Sequence, residues 1–94
     1  MNRFGEKIRQ IRESKGLLLR QLSAFMEVDA ALLSKIERGG RRPKREQVIK
    51  MAEVLEIDVD RLLVLWIADK ISEIITDRQL AIEAIELVKN DIQK

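Results

Sequence analysis

Nowhere in this chain do apolar and polar residues alternate with the two-residue period of a strand. Apolar side chains instead recur three and four residues apart, in short stretches closed by glycine or by the single proline. That spacing puts them on one face of a helix. Phe4, Ile8 and Ile11 predict a first helix over about Arg3 to Lys15, with Gly16 as its stop. A second fits Leu19 to Met26, with Leu22, Phe25 and Met26 apolar, and only Glu27 to Asp29 separate it from a third. Asp29 is a good N-cap for that third helix, which runs through Leu32, Leu33, Ile36 and Arg38 to the Gly39-Gly40 stop. A fourth covers about Arg45 to Leu55, inward through Val48, Ile49, Ala52 and Leu55. Asp58 caps a fifth over about Val59 to Ile75, and Thr76 with Gln79 has the form of a capping box for a sixth, Asp77 to Asp91. Six helices without strands predict an all-α fold.

At 94 residues there is room for one small domain with a thin core. The chain has no cysteine and no histidine, which removes disulfides, thiol nucleophiles, the usual zinc sites and His-based acid–base pairs. No glycine-rich phosphate loop and no carboxylate cluster with metal-ligand spacing occurs, so neither an enzyme nor a cofactor is expected. The longest apolar run, Leu62 to Ala68, is far shorter than the ~18 residues needed to span a bilayer, and charges recur from Arg3 onward, unlike a signal peptide. The expectation is a cytoplasmic protein without membrane contact or small-molecule substrate.

Charge is unevenly spread. Residues 1–50 carry 13 Lys/Arg against 6 Asp/Glu, and residues 51–94 carry 5 against 10, within a net charge of +2. A basic half joined to an acidic one fits a polyanion-binding surface with a separate partner region; two merely solvated halves are the alternative.

Two short helices joined by a three-residue turn match a helix-turn-helix, whose second helix enters the DNA major groove. The residues sharpen this. Lys15-Gly16-Leu17, Leu22-Ser23, Val28 and Leu33-Ser34-Lys35-Ile36-Glu37-Arg38-Gly39, followed by Arg42-Pro43, Leu55-Glu56-Ile57-Asp58 and Leu62-Leu63, resemble the phage-repressor-like (Cro/XRE-type) DNA-binding family. The likeness covers about residues 4–65, and Ser-Lys-Ile-Glu-Arg-Gly is its most specific part. It implies a five-helix lambda-repressor-like domain, here residues 1–75, with an additional C-terminal helix at 76–94 packing on the domain or dimer. It also implies a structural ion pair between Arg12 and Glu37, a small residue (Ser23) for close helix approach, and double-stranded DNA as the partner of a homodimer.

Where the family commonly has Ser or Thr then Gln at the start of the second helix, this chain has Leu18 and Leu19, leaving Arg20 to supply the phosphate contact. At the start of the recognition helix stand Ala30 and Ala31, whose methyl groups can meet a thymine methyl but form no bidentate bond to guanine or adenine. Readout therefore falls on Lys35 and Ser34, with Asp29 as cap or as acceptor from cytosine. Arg38, Arg41, Arg42, Lys44 and Arg45 are five cations within eight residues and read as a phosphate clamp.

The fifth helix is apolar all round from Leu62 to Ile67, so it needs cover on several sides. Leu62, Leu65 and Trp66 are the candidate dimer interface, Trp66 being either an interface anchor or monomer core. The resulting expectation is a sequence-specific transcription regulator, a repressor or operon controller, on a pseudo-palindromic operator. Its half-sites would lie roughly 34 Å apart. The alternative is a protein-interaction module or antitoxin-like subunit with weak base readout, favoured by Ala30-Ala31 and disfavoured by the basic loop.

Overall fold

The structure, a computed structural model, describes residues 2–94. The described residues form six helices and no strand: α1 Arg3–Ser14, α2 Leu19–Met26, α3 Ala30–Arg38, α4 Arg45–Leu55, α5 Val59–Glu73 and α6 Arg78–Ile92. The boundaries follow local chemistry. Asp29 accepts the Ala31 N–H (2.8 Å) and Asp58 the Asp60 N–H (3.1 Å), so α3 and α5 start where a carboxylate meets an orphan amide. Gly39 ends α3 with φ 83°, in the left-handed region.

The start of α6 differs from expectation. Asp77, not Thr76, caps it, accepting the Leu80 N–H at 3.0 Å, and the helix begins at Arg78. The aspartate supplies a charged acceptor one residue later than the threonine, and α5 correspondingly stops at Glu73 rather than Ile75.

The core lies among the first five helices. Ile8, Leu22, Leu33, Val48, Leu55 and Leu62 are fully enclosed, with Phe4, Met26, Ile36 and Met51 around them. α1 packs on α3 and α5, α2 on α3 and α4, and α4 on α5. One close approach depends on a missing side chain. A Cβ at Gly5 would lie 2.4 Å from the Ile36 carbonyl oxygen and 2.6 Å from that of Glu37, so α1 can sit on the end of α3 only with glycine there. Gly5→Ala is expected to cost about 3 kcal/mol in steric displacement against roughly 1 kcal/mol of gained helix propensity. A net loss of about 2 kcal/mol would appear as a lower urea midpoint at unchanged slope.

α5 is two-faced rather than buried all round. Leu62 and Leu63 point into the core, whereas Val64, Ile67, Ile71 and Ile74 are exposed at three- and four-residue spacing. This corrects the assignment of Leu62 to a dimer interface: it is 1% exposed and belongs to the monomer core. α6 has no buried residue.

Candidate nucleic-acid interface

The site is built on how α1 fixes α3. The Arg12 guanidinium donates from Nε to Glu37 Oε2 (2.7 Å) and from Nη2 to Glu37 Oε1 (3.0 Å), a two-point contact between groups 13% and 5% exposed. Its Nη1 donates to the Leu17 carbonyl (2.8 Å). One side chain thus ties α1, the loop before α2 and the last turn of α3. The hydrogen bonds to Glu37, opposed by burial, raise the Arg12 pKa above its ordinary value. Asn2 adds a second tie, donating from Nδ2 to the Glu37 carbonyl (2.8 Å) while its Oδ1 accepts the Gly5 N–H (3.1 Å).

Between α2 and α3 the chain turns at Glu27, which has φ 57°, and the Val28 N–H returns to the Ser23 carbonyl (3.0 Å). Ser23 is buried and its hydroxyl donates to the Arg20 carbonyl (2.9 Å), so its polar atom is satisfied inside α2. At the head of α2, Leu18 offers no side-chain cap; Gln21 Oε1 accepts the Leu18 N–H instead (2.7 Å). α4 repeats the device, with Gln47 accepting from Lys44 (2.8 Å).

With its inner face held by Leu33, Ile36 and Glu37, α3 presents Ala31, Lys35 and Arg38 outward, four and three residues apart on one stripe. Ala30 and Ser34 flank that stripe, half-buried. The Asp29 carboxylate is engaged as the α3 cap. Arg38 Nε leans back to the Ser34 carbonyl (3.3 Å). Arg20, Arg41, Lys44 and Arg45 are exposed, and among the described residues none of them, nor Lys35 or Arg38, has an ion-pair partner.

Arg42 stands apart from this set, contrary to its place in the expected clamp. Its guanidinium turns onto α5, ion-paired through Nη2 with Glu73 and with Nη1 3.5 Å from the Trp66 carbonyl. Trp66 in turn donates its indole N–H to the Pro43 carbonyl (2.8 Å), and Lys70 Nζ lies 4.1 Å from the ring centroid. Trp66 therefore fastens the loop after α3 to α5 within one chain, which accounts for it without an interface. Leu65 is half-buried against the core.

Asp69 is a residue that sequence reasoning missed. It is 4% exposed and accepts the Phe4 N–H (2.9 Å), the Arg3 N–H (3.2 Å) and Arg3 Nη1 (3.1 Å), so a carboxylate on α5 satisfies the amides at the start of α1. Its signal was phase: Asp69 falls seven residues after Leu62, on the inward face of the same helix. Asn2, Gln21 and Gln47 were missed as well, because their partners are backbone groups with no identity in the sequence.

A helix-turn-helix family model matches residues 8–62, more than half of the chain. The HTH-type transcriptional repressor RghR of Bacillus subtilis is 41% identical over 64 residues, 67% of this chain and 47% of RghR, so the chain spans about half the length of that relative. Among solved structures, the restriction-modification controller protein C.AhdI from Aeromonas hydrophila is 30% identical, with TM-score 0.62 over 65% of this chain and 92% of its own. SinR, a master regulator for biofilm formation solved in complex with DNA, is 34% identical, with TM-score 0.59 over 64% of this chain and 97% of its own. The matched region holds the helix pair, the Arg12–Glu37 brace and the outward stripe of α3, and by these the chain belongs to the Cro/XRE-type helix-turn-helix family.

Proposed function

We propose that the chain is a sequence-specific DNA-binding transcription regulator, a repressor or operon controller without enzymatic activity. It would bind a pseudo-palindromic operator in the cytoplasm as a homodimer. The observation that carries this reading is the outward stripe of Ala31, Lys35 and Arg38, which continues into the exposed cations Arg41, Lys44 and Arg45. The family's repressors and the SinR–DNA complex support it. Lys35 and Ser34 carry direct readout, Ala30 and Ala31 contact thymine methyls, and Arg20, Arg38, Arg41, Lys44 and Arg45 hold phosphates. Arg42 acts indirectly, by holding the loop on α5. Residues 1–75 form the DNA-binding unit and 76–94 its helical extension.

Selection of bound sequences from a random duplex library tests this directly. An enriched motif with two inverted half-sites about one helical turn apart is expected; no enrichment over unselected DNA refutes sequence-specific binding. The roles separate by substitution. Lys35→Ala is expected to cost about 1–3 kcal/mol on the operator and to relax the selected motif, whereas Arg41→Ala weakens operator and random duplex nearly alike. Equal losses on both DNAs from both variants would overturn the division into reader and clamp.

The second reading, an antitoxin-like interaction subunit, draws on the same Ala30-Ala31 pair and on the exposed apolar side chains of α5 and α6. It requires that binding to random duplex at low salt be absent or insensitive to salt.

A further inference from the structure

We propose that Glu73 limits how tightly this chain holds DNA, by occupying the Arg42 guanidinium that would otherwise meet a phosphate. The inference rests on the DNA-binding reading above and adds to it a carboxylate that sets the strength of the clamp.

Arg42 has the charge and the place of a phosphate contact. It lies within the run Arg38, Arg41, Arg42, Lys44 and Arg45, and among the described residues it is the one member of that run with an ion pair. Its Cα is about 3.8 Å from that of Arg41, whose side chain is exposed. The Arg42 guanidinium is nevertheless turned away, onto Glu73 at the end of α5, and its side chain is only 24% exposed.

The loop is fixed without that pair. The Gly40 N–H donates to the Lys35 carbonyl (2.8 Å), Gln47 accepts the Lys44 N–H (2.8 Å), and the Trp66 indole donates to the carbonyl of buried Pro43 (2.8 Å). These bonds hold the backbone before, beside and after Arg42 and involve neither partner's side chain. The pair adds to this hold, but Arg42 can release Glu73 and swing outward with the backbone unmoved.

Glu73 gains little else where it stands. It is the last residue of α5, where the helix dipole disfavours a negative charge. Its side chain is 64% exposed, so its ion pair adds little to stability. Lys70, one turn earlier, lies over the Trp66 ring at 4.1 Å and makes no ion pair with Glu73 among the described residues. Asp69, the other carboxylate beside the loop, is engaged by Arg3 and the Phe4 amide and is not open to a released Arg42. A carboxylate and a phosphate offer a guanidinium the same two-point, charge-assisted contact, so the two compete for Arg42.

The test is binding of a labelled random duplex by the full chain, followed by fluorescence anisotropy between about 50 and 200 mM salt. Glu73→Gln is expected to bind more tightly than wild type and to steepen the log–log slope by about 0.9 for each Arg42 that reaches a phosphate. At 100 mM salt that increment corresponds to about 8-fold tighter binding per contact, relative to a 1 M reference. Glu73→Ala should act in the same direction, and it keeps the comparison valid if glutamine forms its own hydrogen bond to Arg42. Arg42→Ala with Glu73→Gln should show the slope of Arg42→Ala alone. Glu83→Gln, which makes the same change in net charge on α6, should leave the slope of the wild type. Position 73 is exposed, so the helical circular dichroism signal should be retained. A wild type with a steep salt slope, beside Glu73 variants that bind no more tightly, overturns the proposal and leaves the DNA reading standing. Tightening that persists without Arg42 overturns it as well. A wild-type chain that fails to bind random duplex at low salt refutes the DNA reading, and this proposal with it.

Discussion

Replacing Arg12 with alanine should lower the free energy of unfolding by about 3–5 kcal/mol, because it strands the Glu37 carboxylate in a site where it is only 5% exposed. For a domain of this length, whose whole stability is on the order of 5–14 kcal/mol, that is roughly a quarter or more of the total, and at the low end of the range nearly all of it. The effect has three parts: the two-point ion pair, the bond to the Leu17 carbonyl, and the tie between α1 and the end of α3. A urea titration would show the change, and Arg12→Ala within about 1 kcal/mol of wild type would refute the brace. Replacing both partners by methionine should cost far less than either single change, since no charge is then left without its partner. The pH behaviour follows from the raised Arg12 pKa. A cation whose pKa is higher folded than unfolded stabilises fully below its ordinary value and loses that contribution only as pH rises through the raised one. For a guanidinium that window lies in strongly alkaline solution, so the titration of Arg12 takes nothing from the brace at neutral or mildly alkaline pH.

Operator affinity should fall about 10³–10⁵-fold between 50 and 200 mM salt, if six to ten phosphates are neutralised per dimer. Among the described residues, six of the proposed DNA-facing cations in each chain have no ion-pair partner: Arg20, Lys35, Arg38, Arg41, Lys44 and Arg45. The log–log slope should then lie between about −5 and −9. Arg41→Ala should flatten it by about 1 per phosphate no longer neutralised, and a dimer carries the substitution twice. Arg42→Ala should change the slope little, because that guanidinium is already committed to Glu73. A wild-type slope shallower than about −2 would remove the phosphate clamp from the account.

The order and extent of the helices were legible because their ends are written in local chemistry. Asp29 and Asp58 cap helices and Gly16 and Gly39 end them, whatever the rest of the chain does. The facing of α5 was not legible. Six consecutive apolar residues from Leu62 to Ile67 give no stripe, and only packing against α1 and α4 decides that Leu62 and Leu63 go inward while Val64 and Ile67 do not. The same limit applies to the basic segment. By residue type Arg41 and Arg42 are equivalent, and what separates them is that Glu73, on a distant helix, arrives beside one of them. Arg12 and Glu37 were found only through likeness to a family; their spacing in the chain carries no pairing signal of its own.

Asp69 carries a consequence for how this protein is made. The first amides of α1, at Arg3 and Phe4, find their acceptor on a helix more than sixty residues later. During synthesis α1 and α3 leave the ribosome before that acceptor does, so the Arg3 and Phe4 amides cannot make this contact until residue 69 has followed them. Closure of the oldest part of the nascent chain is thereby timed by one of its youngest. A copy interrupted at the end of the helix-turn-helix region would lack that closing contact.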